Sequence, residues 1–80
     1  MEMTSKTLAF VASNLVDHPD DVEITPVTED DGETILELRV HPDDMGKVIG
    51  KRGRTAKAIR TMIKAAATRE GVNASVEIVE

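Results

Sequence analysis

The residues with the clearest chemical potential are four consecutive ones, Gly50-Lys51-Arg52-Gly53. Two glycines flank two cations, and a glycine lets another backbone approach closely because it carries no Cβ. A helix-forming run follows Gly53, and the first N–H groups of a helix lack internal partners and attract anions. Arg54 adds a further positive charge beside them. This combination favours a sugar-phosphate chain as ligand, because such a chain carries repeated negative charge along a narrow backbone.

Other residues that could support catalysis are few and badly spaced for it. The chain has no cysteine and 2 histidines, His18 and His41, whose separation matches no metal-ligand spacing. The glycines at 46, 50 and 53 fit neither the P-loop nor the dinucleotide-binding pattern. The aspartate pairs at 20–21, 30–31 and 43–44 are typical of turns and helix starts rather than of catalytic dyads. We therefore expect no enzyme activity, no metal and no cofactor.

Charge is distributed unevenly along the chain, although its net value of −5 taken alone argues against a nucleic-acid ligand. Residues 1–45 carry 12 acidic and two basic side chains, a net charge of −10. Residues 46–72 carry eight bases and one acid, a net charge of +7, and residues 73–80 contribute −2. Because the local field rather than the net charge steers a polyanion, the basic segment is the candidate binding surface.

Length and composition predict one small soluble domain. Eighty residues suffice for a single domain, which we place at residues 1–80. The proportions of hydrophobic residues, 40%, and charged residues, 31%, are ordinary for a globular protein. The absence of cysteine fits a reducing cytoplasm. No apolar run is long enough to predict a signal peptide or a membrane span.

Hydrophobic periodicity predicts elements in the order α-β-β-α-α-β. Apolar residues recur at helical spacing near the N-terminus, and Thr4 or Ser5 can cap that helix. Pro26 lacks an N–H, which predicts an edge position for the first strand. The predicted segments are a helix at 4–17, strands at 21–27 and 34–41, a hairpin loop at 29–33, a short helix from Pro42 to about Ile49, a helix at about 54–69 and a strand at 74–79.

The connections between the predicted strands indicate the topology. A tight loop joins the first two strands, which therefore pair antiparallel, whereas two helices join the second and third, which can lie parallel through a right-handed crossover. This predicts an α+β fold, a three-stranded mixed sheet in the order one-two-three with three helices on one face. The second strand is then central, and its alternation directs Leu36, Leu38 and Val40 to one side.

The motif resembles that of a known family. Val48-Ile49-Gly50-Lys51-Arg52-Gly53, with Ile59 six residues later, resembles the I-G-x-x-G signature of KH domains. The element order is similar to the prokaryotic type of that fold, type II. Leu15-Val16-Asp17-His18-Pro19 and residues 44–67 look like the small single-KH proteins of bacteria called KhpA. The resemblance spans nearly the whole chain, with its core motif at about 34–79.

The resemblance implies binding of single-stranded RNA, with the backbone of about four nucleotides clamped at the G-x-x-G loop. The residues that it places against phosphates are Gly50, Lys51, Arg52 and Gly53, flanked by Arg54 and Lys57. It places Val48 and Ile49 in the apolar floor under the bases, and Leu36 or Leu38 is the candidate for the rest of that groove. The helical pattern by itself favours a core position for Val48, Ile59 and Ile63.

The sequence also predicts that a single site of this kind binds weakly. It contains no Tyr or Trp, and Phe10 is distant from the loop in sequence, so an aromatic stacking platform is missing. The resemblance implies a partner, either a second copy in a homodimer or a larger KH-containing protein of the Jag/KhpB type, with no membrane involved. Phe10 and Ile35 are the candidates for that contact surface.

The resemblance further implies post-transcriptional control, in the manner of an RNA chaperone, linked to bacterial cell elongation or division. Two alternatives stay open. The chain could be a protein–protein adaptor that keeps the KH fold without binding RNA, which the acidic first half favours and the Lys51-Arg52 pair opposes. It could also be a ribosome-associated factor, since KH folds occur there as well.

Overall fold

The computed structural model describes residues 1–80 and contains the elements in the predicted order. Short 3₁₀ turns at Pro19–Asp21, Pro42–Asp44 and Lys51–Gly53 connect some of them. None of the helices combines the length and apolar character needed to cross a membrane. The elements are α1 (Glu2–Leu15), β1 (Glu23–Thr28), β2 (Thr34–Arg39), α2 (Met45–Ile49), α3 (Arg54–Glu70) and β3 (Ala74–Val79).

The strands form one three-stranded sheet in the order β1-β2-β3. β1 pairs antiparallel with β2, and β2 pairs parallel with β3, which confirms the predicted mixed sheet and its central strand. Pro26 lies in the edge strand β1, the position in a sheet where a residue without an N–H is tolerated. The hairpin loop 29–33 closes through hydrogen bonds from Glu29 N–H to the Glu33 carbonyl and from Gly32 N–H to the Glu29 carbonyl.

The core lies between one face of the sheet and the three helices. Strand alternation sends Leu36 and Leu38 toward the helices, and both side chains are fully buried. The opposite face of the sheet carries Glu37 and Arg39 and is not covered by a helix. The helical side chains that complete the core are Leu8 and Ala12 from α1, Val48 from α2, and Ile59 and Ile63 from α3.

The start of α1 differs from the prediction. The helix begins at Glu2, so Thr4 lies inside its first turn and is fully buried rather than capping from outside. The Glu70 carboxylate, at the far end of α3, accepts hydrogen bonds from the N–H groups of Met3 and Thr4 and from the Thr4 hydroxyl. The cap comes from 66 residues away along the chain, which explains why local sequence did not reveal it.

Candidate nucleic-acid interface

The G-x-x-G loop, Gly50–Gly53, forms a tight connection between α2 and α3. Gly50 ends α2 and donates its N–H to the Gly46 carbonyl at 2.8 Å. Gly53 donates to the Gly50 carbonyl at 3.1 Å and then serves as the N-cap of α3. The loop therefore fixes its own backbone with two short-range hydrogen bonds.

Gly50 is required by both backbone conformation and space. Its φ of 75° and ψ of 173° fall in a region that is essentially restricted to glycine. A Cβ at this position would lie 2.2 Å from the Thr55 hydroxyl oxygen and 2.9 Å from the Thr55 backbone nitrogen. The first turn of α3 therefore packs directly against the Gly50 backbone, and no other residue type fits.

Arg52 is the one residue other than glycine with a positive φ, at 59°. A side chain in this left-handed region costs roughly 1–2 kcal/mol relative to its relaxed conformation. Residues held in such conformations are concentrated at functional sites. The conformation leaves the Arg52 side chain exposed to solvent, beside that of Lys51.

Seven of the eight cations on and around the loop have no carboxylate partner. Among the eight basic residues between 46 and 72, only Lys47 forms a salt bridge, with Asp17 at 3.3 Å. The remaining cations are all exposed, and their charge is not neutralised within the chain. They are Lys51, Arg52, Arg54, Lys57, Arg60, Lys64 and Arg69. The N-cap of α3 is a glycine, so no side chain occupies the positive end of that helix either.

A buried carboxylate holds the 3₁₀ turn and α2 that precede the loop. Asp44, only 1% exposed, accepts hydrogen bonds from the N–H groups of Asp17 (3.2 Å) and His18 (2.9 Å) and from the His18 ring Nδ1 (3.0 Å). Burial disfavours its charged form, but these hydrogen bonds outweigh burial and lower the pKa of Asp44. In return, the hydrogen bond to Asp44 raises the pKa of His18.

The two histidines are part of this support. The rings of His18 and His41 stack with centroids 4.0 Å apart. His41 Nδ1 accepts a hydrogen bond from the Asp43 N–H at 3.0 Å and so caps the turn before α2. The pairing of His18 with Asp44 joins residues 26 positions apart, and no pattern in the sequence predicted it.

Comparison with known proteins identifies the arrangement. Residues 5–78 match the model of the KhpA/KhpB KH domain. The chain belongs to this family.

Several relatives match the chain over most of its length. A protein of Halalkalibacterium halodurans named RNA-binding protein KhpA is 53% identical, over 94% of this chain and 99% of its own length. The protein of that name from Clostridium acetobutylicum is 57% identical, over 90% and 95%. The one from Chlamydia muridarum is 47% identical, over 91% and 92%.

A solved structure supports the fold independently of sequence. Part of the crystal structure of Aquifex aeolicus Era bound to GDP and aluminium fluoride superposes with a TM-score of 0.61 at 19% identity. The superposition covers 94% of this chain but only 29% of the Era chain. At this level of identity the likeness concerns the fold alone.

The KH domain presents fewer apolar side chains near the loop than the sequence analysis expected. Ile49 is 39% exposed and available for contact. Val48 is fully buried and belongs to the core, as the helical pattern by itself favoured. Leu36 and Leu38 are also fully buried, so the expectation that one of them faces the groove is wrong. Strand alternation sends both toward the helices, where the core needs them.

Proposed function

We propose that the chain binds single-stranded RNA, with the backbone of about four nucleotides held at Gly50–Gly53. The observation that carries this proposal is the pair Lys51 and Arg52, exposed and without salt bridges on a loop held in a glycine-dependent conformation. The relatives' shared name, RNA-binding protein, supports the same conclusion.

The chemistry of such a site is electrostatic and aliphatic. Lys51, Arg52, Arg54 and Lys57 replace counterions on successive phosphates, while Ile49 contacts a base or sugar. With about four phosphates neutralised, the logarithm of the association constant should fall with the logarithm of salt concentration with a slope of about −2.8. No catalytic step is part of this proposal.

A double charge reversal tests the proposal. Lys51→Asp with Arg52→Asp removes two phosphate contacts, each worth roughly 1.5–3 kcal/mol, so affinity should fall by about 100-fold or more. The measurement is fluorescence polarisation with a labelled single-stranded RNA. Lys6→Asp with Arg39→Asp is the matched control, since it changes the net charge equally at exposed positions outside the loop and outside the groove between α1 and α3. Equal binding by the loop variant, with an unchanged circular dichroism spectrum, would discard the proposal.

A second surface favours a protein partner in addition to RNA. Met3 and Phe10 on α1 are 70% and 71% exposed, and Met62 on α3 is 46% exposed. A groove of about 610 Å³ between the two helices is lined by Met3 and Met62, with Ala65 and Ala66. We propose this surface for self-association or for a complex with a larger Jag/KhpB-like protein. Ile35, the other candidate, is half-buried on the open face of the sheet.

The partner proposal has its own test. Met62→Glu, with Phe10→Glu as a second variant, should lower the mass measured by sedimentation equilibrium while the circular dichroism spectrum is retained. A monomeric wild-type chain that also fails to bind a Jag/KhpB-like protein would exclude the surface. Either result leaves the loop assignment to be judged by RNA binding alone.

The cellular role that we propose follows from the family resemblance. It is post-transcriptional regulation in the cytoplasm, in the manner of an RNA chaperone, linked to cell elongation or division. Crosslinking the protein to RNA in cells and sequencing the recovered RNA tests this role. Recovery of ribosomal RNA alone would favour the alternative of a ribosome-associated factor, and recovery of no RNA would favour an adaptor.

A further inference from the structure

The face of the sheet that points away from the helices carries mainly negative charge, and we call it the open face. Strand alternation directs Glu37 and Arg39 outward from β2. The register places Glu77 of β3 directly opposite Glu37. It places Glu23 of β1 directly opposite Arg39. None of these side chains forms a salt bridge, so the open face presents three carboxylates and one guanidinium that the chain itself does not neutralise.

Aliphatic side chains lie among these charges. Val27 of β1 is opposite Ile35 of β2, and Val79 of β3 is next to Arg39. Val27 is 37% exposed, and the other two aliphatic side chains are half-buried. A partner can bury this apolar area only if it also brings positive charge to the carboxylates beside it.

The charge of the open face restricts what can bind there. A nucleic acid carries the same sign of charge and is repelled. A symmetric contact between two open faces would bring the carboxylates of both copies together, and like charges in an interface oppose association. The occupant must therefore have exposed cations that its own fold leaves without partners.

The chain itself has such a cationic surface on α3. Lys57, Arg60 and Lys64 are exposed, and none of them forms a salt bridge. They fall within an arc of about 60°, because the helix has 3.6 residues per turn. Ala58 and Ala65 are exposed on the adjoining side of the helix, and their short side chains let another surface approach closely. We call these five residues the cationic side of α3.

The charges on the two surfaces have similar spacing. Lys57 and Lys64 are separated by about 10 Å along the helix axis, at about 1.5 Å per residue. Glu23 and Glu77 lie on the two edge strands, and their opposite residues on β2 are two positions apart. With about 4.8 Å between strands and about 3.3 Å per residue, their Cα atoms are about 12 Å apart. A helix that crosses the strands can therefore set three cations against three carboxylates.

We propose that the open face binds the cationic side of α3 of a second copy, head to tail. A second copy is required because α3 packs against the opposite face of its own sheet. The two copies use different surfaces, so each keeps one surface free and assembly continues beyond a pair. This contact is separate from the groove between α1 and α3 and does not depend on RNA binding.

The contact should be weak and sensitive to salt. Each exposed ion pair changes affinity by no more than about fivefold, so several pairs are needed for association. The Debye length is about 10 Å at 0.1 M salt and about 3 Å at 1 M salt. Association should therefore be measured at about 0.05 M salt and should be lost at about 1 M.

The test uses two variants that each lack one of the two surfaces. Both also carry Met62→Gln, so that the groove between α1 and α3 contributes as little as possible. The sheet variant keeps the cationic side of α3, and the helix variant keeps the open face, so only their mixture contains both intact surfaces. The sheet variant is Glu37→Gln with Glu77→Gln, and the helix variant is Lys57→Gln with Arg60→Gln and Lys64→Gln.

NMR of the mixture identifies the surfaces in contact. When the helix variant is isotope-labelled, adding the unlabelled sheet variant should shift the backbone signals of Val27, Ile35 and Glu37. With the labels exchanged, the shifts should fall between residues 57 and 65. Each variant should bind itself at least about tenfold more weakly than it binds the other, because two or three ion pairs are lost. Both variants have a net negative charge, so overall attraction does not explain their association.

Two further variants test the role of charge on the open face. Arg39→Gln removes the one cation there, and it should strengthen association by up to about fivefold. Glu2→Gln with Asp43→Asn loses the same charge as the sheet variant at exposed positions away from the open face. In the Met62→Gln background, that control should associate as strongly as the chain with Met62→Gln alone. Circular dichroism checks that every variant is folded.

The outcomes that overturn the inference are distinct. Folded variants that give no shifts in the mixture at low salt exclude the contact, and so does self-binding as strong as binding in the mixture. Shifts confined to α1 and the Met62 side of α3 would assign association to the groove instead. If octalysine shifts the open face and the sheet variant does not, the face takes a cationic peptide rather than a second copy. None of these results bears on RNA binding at Gly50–Gly53.

Discussion

The loop at Gly50–Gly53 and the carboxylate of Glu70 show two opposite uses of charge in one small chain. The loop exposes Lys51 and Arg52 and gives neither a partner. Glu70 is occupied, accepting hydrogen bonds from the Met1 ammonium, from two backbone N–H groups and from the Thr4 hydroxyl. Asp44 follows the same pattern as Glu70, with three hydrogen bonds from Asp17 and His18.

The difference shows which charges the fold uses for itself. A buried charge is tolerated only when hydrogen bonds and opposite charges replace its hydration, so Asp44 and Glu70 can hold separate segments together. Exposed cations contribute little to stability, and their value lies in what they bind. The same distinction predicts that changes at the carboxylates alter mainly stability, whereas changes of loop side chains alter mainly RNA binding.

The largest expected effect is at the loop backbone. There the distinction between stability and binding fails, because both depend on Gly50. Gly50→Ala forces a Cβ against Thr55 and a positive φ on alanine, so it should destabilise the protein by about 2–4 kcal/mol in urea unfolding. Gly46→Ala is the matched control, because nothing lies near its added Cβ. That variant should be unchanged or more stable by up to about 1 kcal/mol. Similar unfolding midpoints for the two variants would contradict this account.

An NMR titration of His18 tests whether the Asp44 carboxylate stabilises the fold through its hydrogen bond to that histidine. The pKa of His18 is raised above 6.5 by the Asp44 hydrogen bond, so His18 contributes stability that is present below pH 6.5 and lost as the pH rises through the raised pKa. Asp44→Asn should return the pKa of His18 toward 6.5 and lower the urea midpoint. Asp43→Asn is the control, since Asp43 contributes least to the shift. An unchanged His18 titration in Asp44→Asn would count against the pair.

Because Glu70 is a structural carboxylate, we expect the free energy of unfolding to fall when acid protonates it. Hydrogen bonds from the Met1 ammonium and Thr4 lower the pKa of Glu70 from 4.5 to about 2. Its contribution is therefore present above pH 4.5 and lost as the pH falls toward 2. Glu70→Gln should flatten the dependence of unfolding free energy on pH in this window. Glu77→Gln, at an exposed strand position, should leave the wild-type dependence in place. If the unfolding free energy of Glu70→Gln depends on pH in the same way as that of the wild type, Glu70 does not have this stabilising role.

The smallest effect concerns Arg52, where stability and binding should change in opposite directions. Arg52→Gly relieves the positive φ of 59° and should stabilise the protein by about 0.5–1 kcal/mol. It also removes one phosphate contact, so RNA affinity should fall by roughly tenfold or more. Lys51→Gly is the comparison variant. It also removes one cation, but it leaves Arg52 in its positive-φ conformation. Urea unfolding and fluorescence polarisation measure the two quantities, and a stabilised variant that binds RNA normally would remove Arg52 from the site.

Sequence reasoning predicted the fold more completely than the site. The alternation of Leu36 and Leu38, the position of Pro26 and the two connection lengths were sufficient for a mixed sheet with β2 in the centre. The same alternation implied that Leu36 and Leu38 face the helices, and assigning either of them to the groove overlooked this. The roles of Lys51 and Arg52 stay predictions until RNA binding is measured.

By itself, the sequence determined the features that depend on neighbouring residues: the amphipathic helices, the alternating strands, the hairpin and the glycine-bounded cationic loop. Only the tertiary structure decided that Glu70 caps α1, that Asp44 holds His18, and that Thr55 requires a glycine at position 50. The physical reason is that local conformation follows from steric and hydrophobic periodicity within a few residues. The partner of a buried charge depends instead on which distant segments the folded chain brings together.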